Sequence, residues 1–263
     1  MKKQFILYGI GMILLTGCVS DKRETVPPVP AAVAGFTEKV PLDAALPEKV
    51  WNGLPEYTMS KYRTFGSMPP ATKVRETWEK SPFEVKIRIL EDRENLCFAF
   101  RVTNDDVRAL KQQNQIPLYQ YGDTVEVFIA TSANNRYGEF YVSAGGNTAS
   151  IIYPSRSFNG SVLTSLQTLM PGVRVAARVQ GTLNHDSDAD KGWTAVMSLS
   201  KKELEKALQA KFEPGTTWYV LFAAYGISSR RSFVTYASWP ELPRTNFHLL
   251  EYYAPLQLKG VKK

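Results

Sequence analysis

The sequence predicts an all-β fold: an antiparallel β-sandwich of about a dozen strands with one short helix near residues 200–210. Three observations lead there. Short segments beyond Gly35 alternate apolar and polar residues at period two, turn-forming residues separate them, and helical periodicity is nearly absent. With 263 residues, 44% of them hydrophobic, the chain can bury a core of that size without disulfide or metal support.

The first segment is not part of that fold. Lys2 and Lys3 precede an apolar run over residues 5–15, which ends in Leu15-Thr16-Gly17-Cys18. A basic start, an apolar stretch too short to span a bilayer and small residues at the end mark residues 1–17 as a signal peptide. Leu15-Thr16-Gly17-Cys18 resembles the lipobox of bacterial lipoproteins. That resemblance implies diacylglycerol on the Cys18 thiol, cleavage before Cys18 and acylation of the new amine. Several acyl chains anchor a soluble domain stably where one would not. The expected location is the cell envelope, anchored by lipid. Val19, standing where some bacteria use aspartate for inner-membrane retention, points to the outer membrane.

Residues 18–35 follow as a tether, because Val26-Pro27-Pro28-Val29-Pro30-Ala31-Ala32 carries three prolines and no amphipathic period. The sandwich is expected over residues 36–263. Residues 84–89 and 96–102 alternate around the turn-forming 91–95 and predict a hairpin; residues 124–129 and 139–143 predict a second. Residues 173–179 pair with 193–199, and residues 218–225 and 233–239 add strands. The single helix begins at Ser200-Lys201-Lys202-Glu203, a capping box, with Leu204 and Leu208 one turn apart and Pro214-Gly215 barring extension. Cys97, in an apolar strand, is expected to be buried and unreactive, and with Cys18 lipidated no intramolecular disulfide is possible.

The formal charge of +7 falls by two on loss of Lys2 and Lys3, and the remaining basic residues are scattered. No stripe for nucleic acid is expected. Side chains alternate across a strand, so Val125, Val127 and Ile129 face the core with Phe140 and Val142, while Glu126, Glu139, Tyr141 and Ser143 share the opposite face. A sugar presents C–H faces and hydroxyl edges and needs flat aromatic surface with convergent acceptors. Tyr119, Tyr121, Glu126, Tyr141 and Trp239 are of the right types, and Trp51, Trp193 and Trp218 are expected in the core.

The succession Tyr121-Gly122-Asp123-Thr124-Val125-Glu126-Val127-Phe128-Ile129, Tyr137-Gly138-Glu139-Phe140 and Gly192-Trp193-Thr194-Ala195-Val196-Met197-Ser198-Leu199 resembles the family 9 carbohydrate-binding modules, within the DOMON-like superfamily. Ser238-Trp239-Pro240, Asn246-Phe247-His248 and Glu251-Tyr252-Tyr253-Ala254-Pro255-Leu256 are similar to the family's ending. The resemblance implies a β-sandwich that binds a glycan end on one face without catalysis, often with calcium. It implies two tryptophans bracketing the sugar. Trp239 stands in the place of the second, tyrosines of Leu118-Tyr119-Gln120-Tyr121 in the place of the first, and Tyr141 where the family can carry an arginine. Asn246 and His248 would line the rim.

Asp186-Ser187-Asp188-Ala189-Asp190 sets three carboxylates at alternate positions, a ligand density suited to calcium, although Met197 at the twelfth position rules out an EF-hand. The alternative is a solvated hairpin loop. Only His185 and His248 are present, with no Gly-x-Ser-x-Gly or His-Glu-x-x-His, so no enzyme is expected. Two further classes stay open. One is a haem-binding or electron-transfer domain using His248 and a methionine; the other is a structural envelope lipoprotein.

Overall fold

The period-two alternation becomes thirteen strands in the computed structural model, which describes residues 28–66, 75–156, 166, 168–227, 233–244 and 246–259. In chain order these are β1 (Ala32–Val33), β2 (Gly35–Phe36), β3 (Tyr57–Gly66), β4 (Arg75–Glu91), β5 (Asn95–Thr103), β6 (Thr124–Thr131) and β7 (Tyr137–Ser143). They continue with β8 (Thr148–Tyr153), β9 (Val173–Gln180), β10 (Gly192–Ser200), β11 (Trp218–Gly226), β12 (Phe233–Trp239) and β13 (Ala254–Gln257). Cys18, the signal segment and residues 18–27 of the tether lie outside the described residues.

The strands form one hydrogen-bonded path, β8-β7-β6-β11-β12-β3-β4-β5-β10-β9, which folds back on itself into two layers. The interior between the layers confirms the predicted facing. Val125, Val127, Ile129, Phe140, Val142, Val220 and Phe222 from one layer meet Val85, Ile87, Phe98, Phe100, Ala195 and Met197 from the other. Phe222 packs edge-on against Phe98 and Phe100 at 5.7 and 6.3 Å between ring centroids, a favoured aromatic geometry. Trp51, Trp193 and Trp218 are buried as expected.

Both predicted hairpins form, β4 with β5 (Glu84↔Thr103 to Glu91↔Leu96) and β6 with β7 (Thr124↔Ser143 to Ala130↔Tyr137), and β9 pairs with β10. The predicted tether extends too far. Ala32–Val33 pairs in parallel with β13 and Gly35–Phe36 with β4, so the last part of residues 18–35 is stitched into the sheet rather than spanning solvent. A second helix accompanies the expected one: α1 (Glu48–Trp51) is a single turn opened by Pro47, whose fixed φ suits a helix start.

The expected helix, α2 (Lys201–Leu208), buries Leu204 and Leu208. The Ser200 hydroxyl accepts from the Glu203 N–H at 3.4 Å, which is one half of the capping box. The Ser200 N–H donates to Gly172 O instead of to Glu203. Cys97 is buried on the outer side of the second layer beneath Val40, Leu46 and Trp51, and burial pushes its thiol up to about 12. Among the described residues no helix is long and apolar enough to cross a membrane.

Candidate functional site

The outer face of the first layer carries the Glu126 side of β6, and it is covered. Phe128, Tyr141, Ile151, Leu221, Ala223 and Tyr236 on this face are buried beneath Leu118, Leu242, Phe247, Leu249 and Tyr253. Every residue of β6 and β7 is therefore buried, on both faces. The alternation assigned the two faces correctly. The loops that roof the outer one leave no period for a sequence reading to find.

Register sets the geometry under that roof. Glu126 lies opposite Tyr141 on β7 and Ala223 on β11, and Phe128 lies opposite Glu139. Tyr225 follows Ala223 on the same face two residues on. The Tyr119 ring, delivered by the 3-10 turn Leu118–Gln120, stacks on Tyr225 at 5.1 Å and on Tyr141 at 6.4 Å. Because Tyr141 and Tyr225 stand on the two strands flanking β6, Tyr119 bridges above the central strand near Glu126.

Two carboxyl groups share this enclosure and differ in their partners. Glu139 accepts the Tyr141 hydroxyl on Oε1 and the Tyr153 hydroxyl on Oε2, the latter at 2.7 Å. Glu126, 1% exposed, has no hydrogen-bond partner on either carboxyl oxygen among the described residues. Burial first, and the neighbouring Glu139 second, push the Glu126 carboxyl well above the usual carboxylate range. Burial and the two glutamates likewise raise the phenols of Tyr119, Tyr141, Tyr153 and Tyr225. The face thus holds a desolvated acceptor without a donor beneath stacked phenol rings. A buried polar group in that state is uncommon in folded proteins and costs free energy.

Of the residues expected at a sugar site, Tyr119, Tyr141 and Glu126 are brought together, and Tyr141 is 1% exposed rather than on an open platform. Trp239 is not part of the group. It pairs with Phe222, an interior residue, while its neighbour Ser238 pairs with Ala223 on the Glu126 face. Its ring packs on Tyr57 at 4.3 Å and Phe222 at 6.0 Å, at the edge of the interior. The expected bracket of Trp239 with a tyrosine is therefore corrected, because the sheet separates the two. Tyr121 lies under the Lys111 ammonium at 4.0 Å, apart from the tyrosine cluster.

Asn246 caps its own turn, its Oδ1 accepting from the His248 N–H at 2.9 Å. The His248 ring sits against Tyr137, Tyr153 and Phe128, with Nδ1 at 3.0 Å from the Tyr137 hydroxyl, at the end of β7 remote from Tyr141. Sequence reasoning missed Tyr225, Tyr153 and Tyr137 as members of this face. The signal for Tyr225 was present, since it alternates with Ala223 and Leu221 in a recognised strand. Tyr153 lies in β8, which was not expected as a strand.

No protein-family model matches the sequence, and comparison with curated proteins finds no significant match. Solved structures do. A candidate carbohydrate-binding protein from Bacteroides uniformis is similar with a TM-score of 0.62 and 15% identity, over 88% of this chain and 99% of that one. A family 9 carbohydrate-binding module from Caldicellulosiruptor kristjanssonii in complex with cellotriose is similar with a TM-score of 0.52 and 13% identity, over 89% of this chain and 95% of that one. The same organism's family 9 module in complex with glucose gives 0.51 and 13%, over 89% and 97%. At such identities the likeness is one of fold.

The carboxylates expected to bind calcium turn to separate tasks. Asp190 is buried and accepts the backbone N–H groups of Val107 and Thr182, each at 2.7 Å. Gly181 (φ +150°) lies so close to that carboxylate that an added Cβ would collide with it. Asp186 pairs with the Arg108 guanidinium, and Asp188 faces His185 Nδ1 at 3.1 Å. Among the described residues no group of three or more His, Cys, Asp or Glu is placed to hold a metal ion. Of the described methionines, Met59, Met170 and Met197 lie in the interior between the layers, whereas His248 packs on Phe128 on the outer face of the first layer.

Proposed function

We propose that this chain is a non-catalytic carbohydrate-binding lipoprotein of the bacterial cell envelope. Its lipid is carried on Cys18, its anchor lies in the outer membrane, and its sugar site lies on the outer face of the first layer. The observation that carries the site is the Glu126 carboxyl, buried on an aromatic face with neither oxygen satisfied among the described residues. Glu126 takes hydroxyl hydrogens of a terminal sugar, and Tyr119 and Tyr225 give its C–H faces flat surface. Because Tyr119 bridges above β6, binding begins with that ring turning aside, which exposes the acceptor only to a ligand able to fill it. The likeness in fold to modules solved with cellotriose and glucose supports this class of ligand. Glu139 is already held by two tyrosine hydroxyls and orders the floor of the site.

A glycan array followed by titration calorimetry on the full chain tests the site. A saturable response to a β-linked glucan or its terminal sugar, weakened strongly by Tyr119→Ala and Glu126→Gln, is the expected result. No saturable binding to any glycan would refute it. Cys18→Ala tests the anchor, since it should leave the chain without acyl mass and release it from the membrane fraction. An unmodified wild-type N-terminal peptide would refute that part.

A further inference from the structure

The outer face of the second layer holds a different chemistry. A cavity of about 240 Å³ opens there between α1 and strands β4 and β5, walled by the cations Lys86, Arg88 and Arg101, the carboxylates Glu48 and Glu56, and Leu46, Trp51, Asn52 and Ala99. Register places Lys86 directly opposite Arg101 across the β4–β5 ladder. Like charges so placed repel and destabilise a sheet, unless something negative lies between them. The next pair on this face, Arg88 and Ala99, sets a small side chain beside a long one and leaves the room that forms the cavity.

The donors there are unevenly satisfied. The Arg88 guanidinium is fixed by Trp51 O at 2.9 Å and by Glu56, whose Oε2 accepts from Nε at 3.1 Å and pairs with Nη2 at 2.8 Å. Lys86 reaches Glu56 and Glu84 only at 3.4 and 3.6 Å. Arg101 is exposed and has no hydrogen-bond or ion-pair partner among the described residues. The indole N–H of Trp51, a residue 2% exposed, has no acceptor among the described residues. Three cations face two carboxylates in this cavity, and with Glu56 taken up by Arg88 and Lys86, the Arg101 guanidinium is left to meet an acceptor with several oxygens.

We propose that this cavity is a second binding site that takes an oxyanion carried on a sugar, the carboxylate of an acidic saccharide unit. Arg101 meets the carboxylate in the two-pronged geometry that guanidinium groups favour, and Lys86 balances the remaining charge. The volume admits a single sugar unit rather than an oligosaccharide. The site lies on the opposite layer from Glu126 and shares no residue with it, so either can fail alone.

Calorimetric titration of the full chain at low ionic strength, with D-glucuronate, D-glucose and sulfate as separate probes, tests the assignment. In Glu126→Met, which removes the first site, glucuronate should bind saturably, more tightly than sulfate and far more tightly than glucose. Arg101→Gln should weaken it by about tenfold or more, and Glu126→Met should leave it unchanged. In ¹H–¹⁵N spectra the Trp51 indole resonance should move with glucuronate and stay fixed with glucose. Sulfate binding as tightly as glucuronate would overturn the sugar assignment. An unchanged affinity in Arg101→Gln, or a motionless Trp51 resonance at saturation, would overturn the site.

Discussion

Replacing Glu126 by methionine should make the fold more stable while abolishing the proposed glycan binding. The side chain is 1% exposed, accepts no hydrogen bond on either oxygen, and has no ion-pair partner among the described residues. An unsatisfied buried polar group costs about 1–3 kcal/mol, and an apolar group of similar shape removes that penalty. For a domain of this size each kcal/mol moves the melting temperature by about 2–4 °C, so Glu126→Met should melt roughly 2–12 °C higher. The sign of the pH dependence follows from the raised carboxyl. Folding binds the proton more tightly than the unfolded chain does, so this group's contribution is complete below the ordinary carboxylate range. It is lost as pH rises through the folded-state value. Wild-type stability should therefore decline between acidic and neutral pH more steeply than that of Glu126→Met. Calorimetric melting of both proteins from pH 4 to pH 8 measures this. A variant that melts lower than wild type at pH 7, with an unchanged pH slope, would show that Glu126 is a satisfied structural residue and remove it from the site.

Other expected outcomes separate the remaining residues. Trp239→Ala should cost about 3 kcal/mol or somewhat more, because the ring packs on Tyr57 and Phe222, and should leave glycan affinity unchanged; calorimetric melting and titration read the two effects. Asp190→Ala should cost about 2 kcal/mol or more by stranding the Val107 and Thr182 N–H groups, whereas Asp188→Ala should leave the melting temperature unmoved. Saturating calcium and EDTA should give superimposable melting curves, and a calcium-dependent rise would return the 186–190 loop to the metal-binding class. The Cys97 thiol, buried and pushed up to about 12, should react with a disulfide reagent only as fast as the chain unfolds, and prompt labelling in the native state would contradict its burial.

The strands that carry the interior were legible because each has one face in the core and one elsewhere. Residues 84–89, 96–102, 124–129 and 139–143 alternate for that reason, and their register came out as the alternation requires. What escaped was non-local. β1 and β2 are two residues each and exist only because β13 and β4 offer them partners. Nothing in a stretch with three prolines announces such pairing. The single turn of α1 is likewise too short for a helical period.

The site was legible as a face but not as an enclosure. Alternation put Glu126, Glu139 and Tyr141 on one side of the sheet, and they are there. That the side is roofed depends on where residues 110–121 and 240–253 fall, which is decided by contacts between segments far apart in the chain. Trp239 shows the opposite hazard, a residue of the right chemistry placed on the wrong face. Its strand was recognised, but which parity faced inward was fixed only by its pairing with Phe222.

The proposed site has a glycan engage the Tyr119–Tyr225–Glu126 face and not the Trp239 edge. Titrating cellotriose into the full chain with ¹³C-labelled tyrosine rings and ¹⁵N-labelled indoles tests it directly. Saturable shifts of the Tyr119 and Tyr225 rings that vanish in Glu126→Met, with the Trp239 indole resonance unmoved, are the expected result. Shifts confined to Trp239, or none at saturating cellotriose and other glycans, would contradict it.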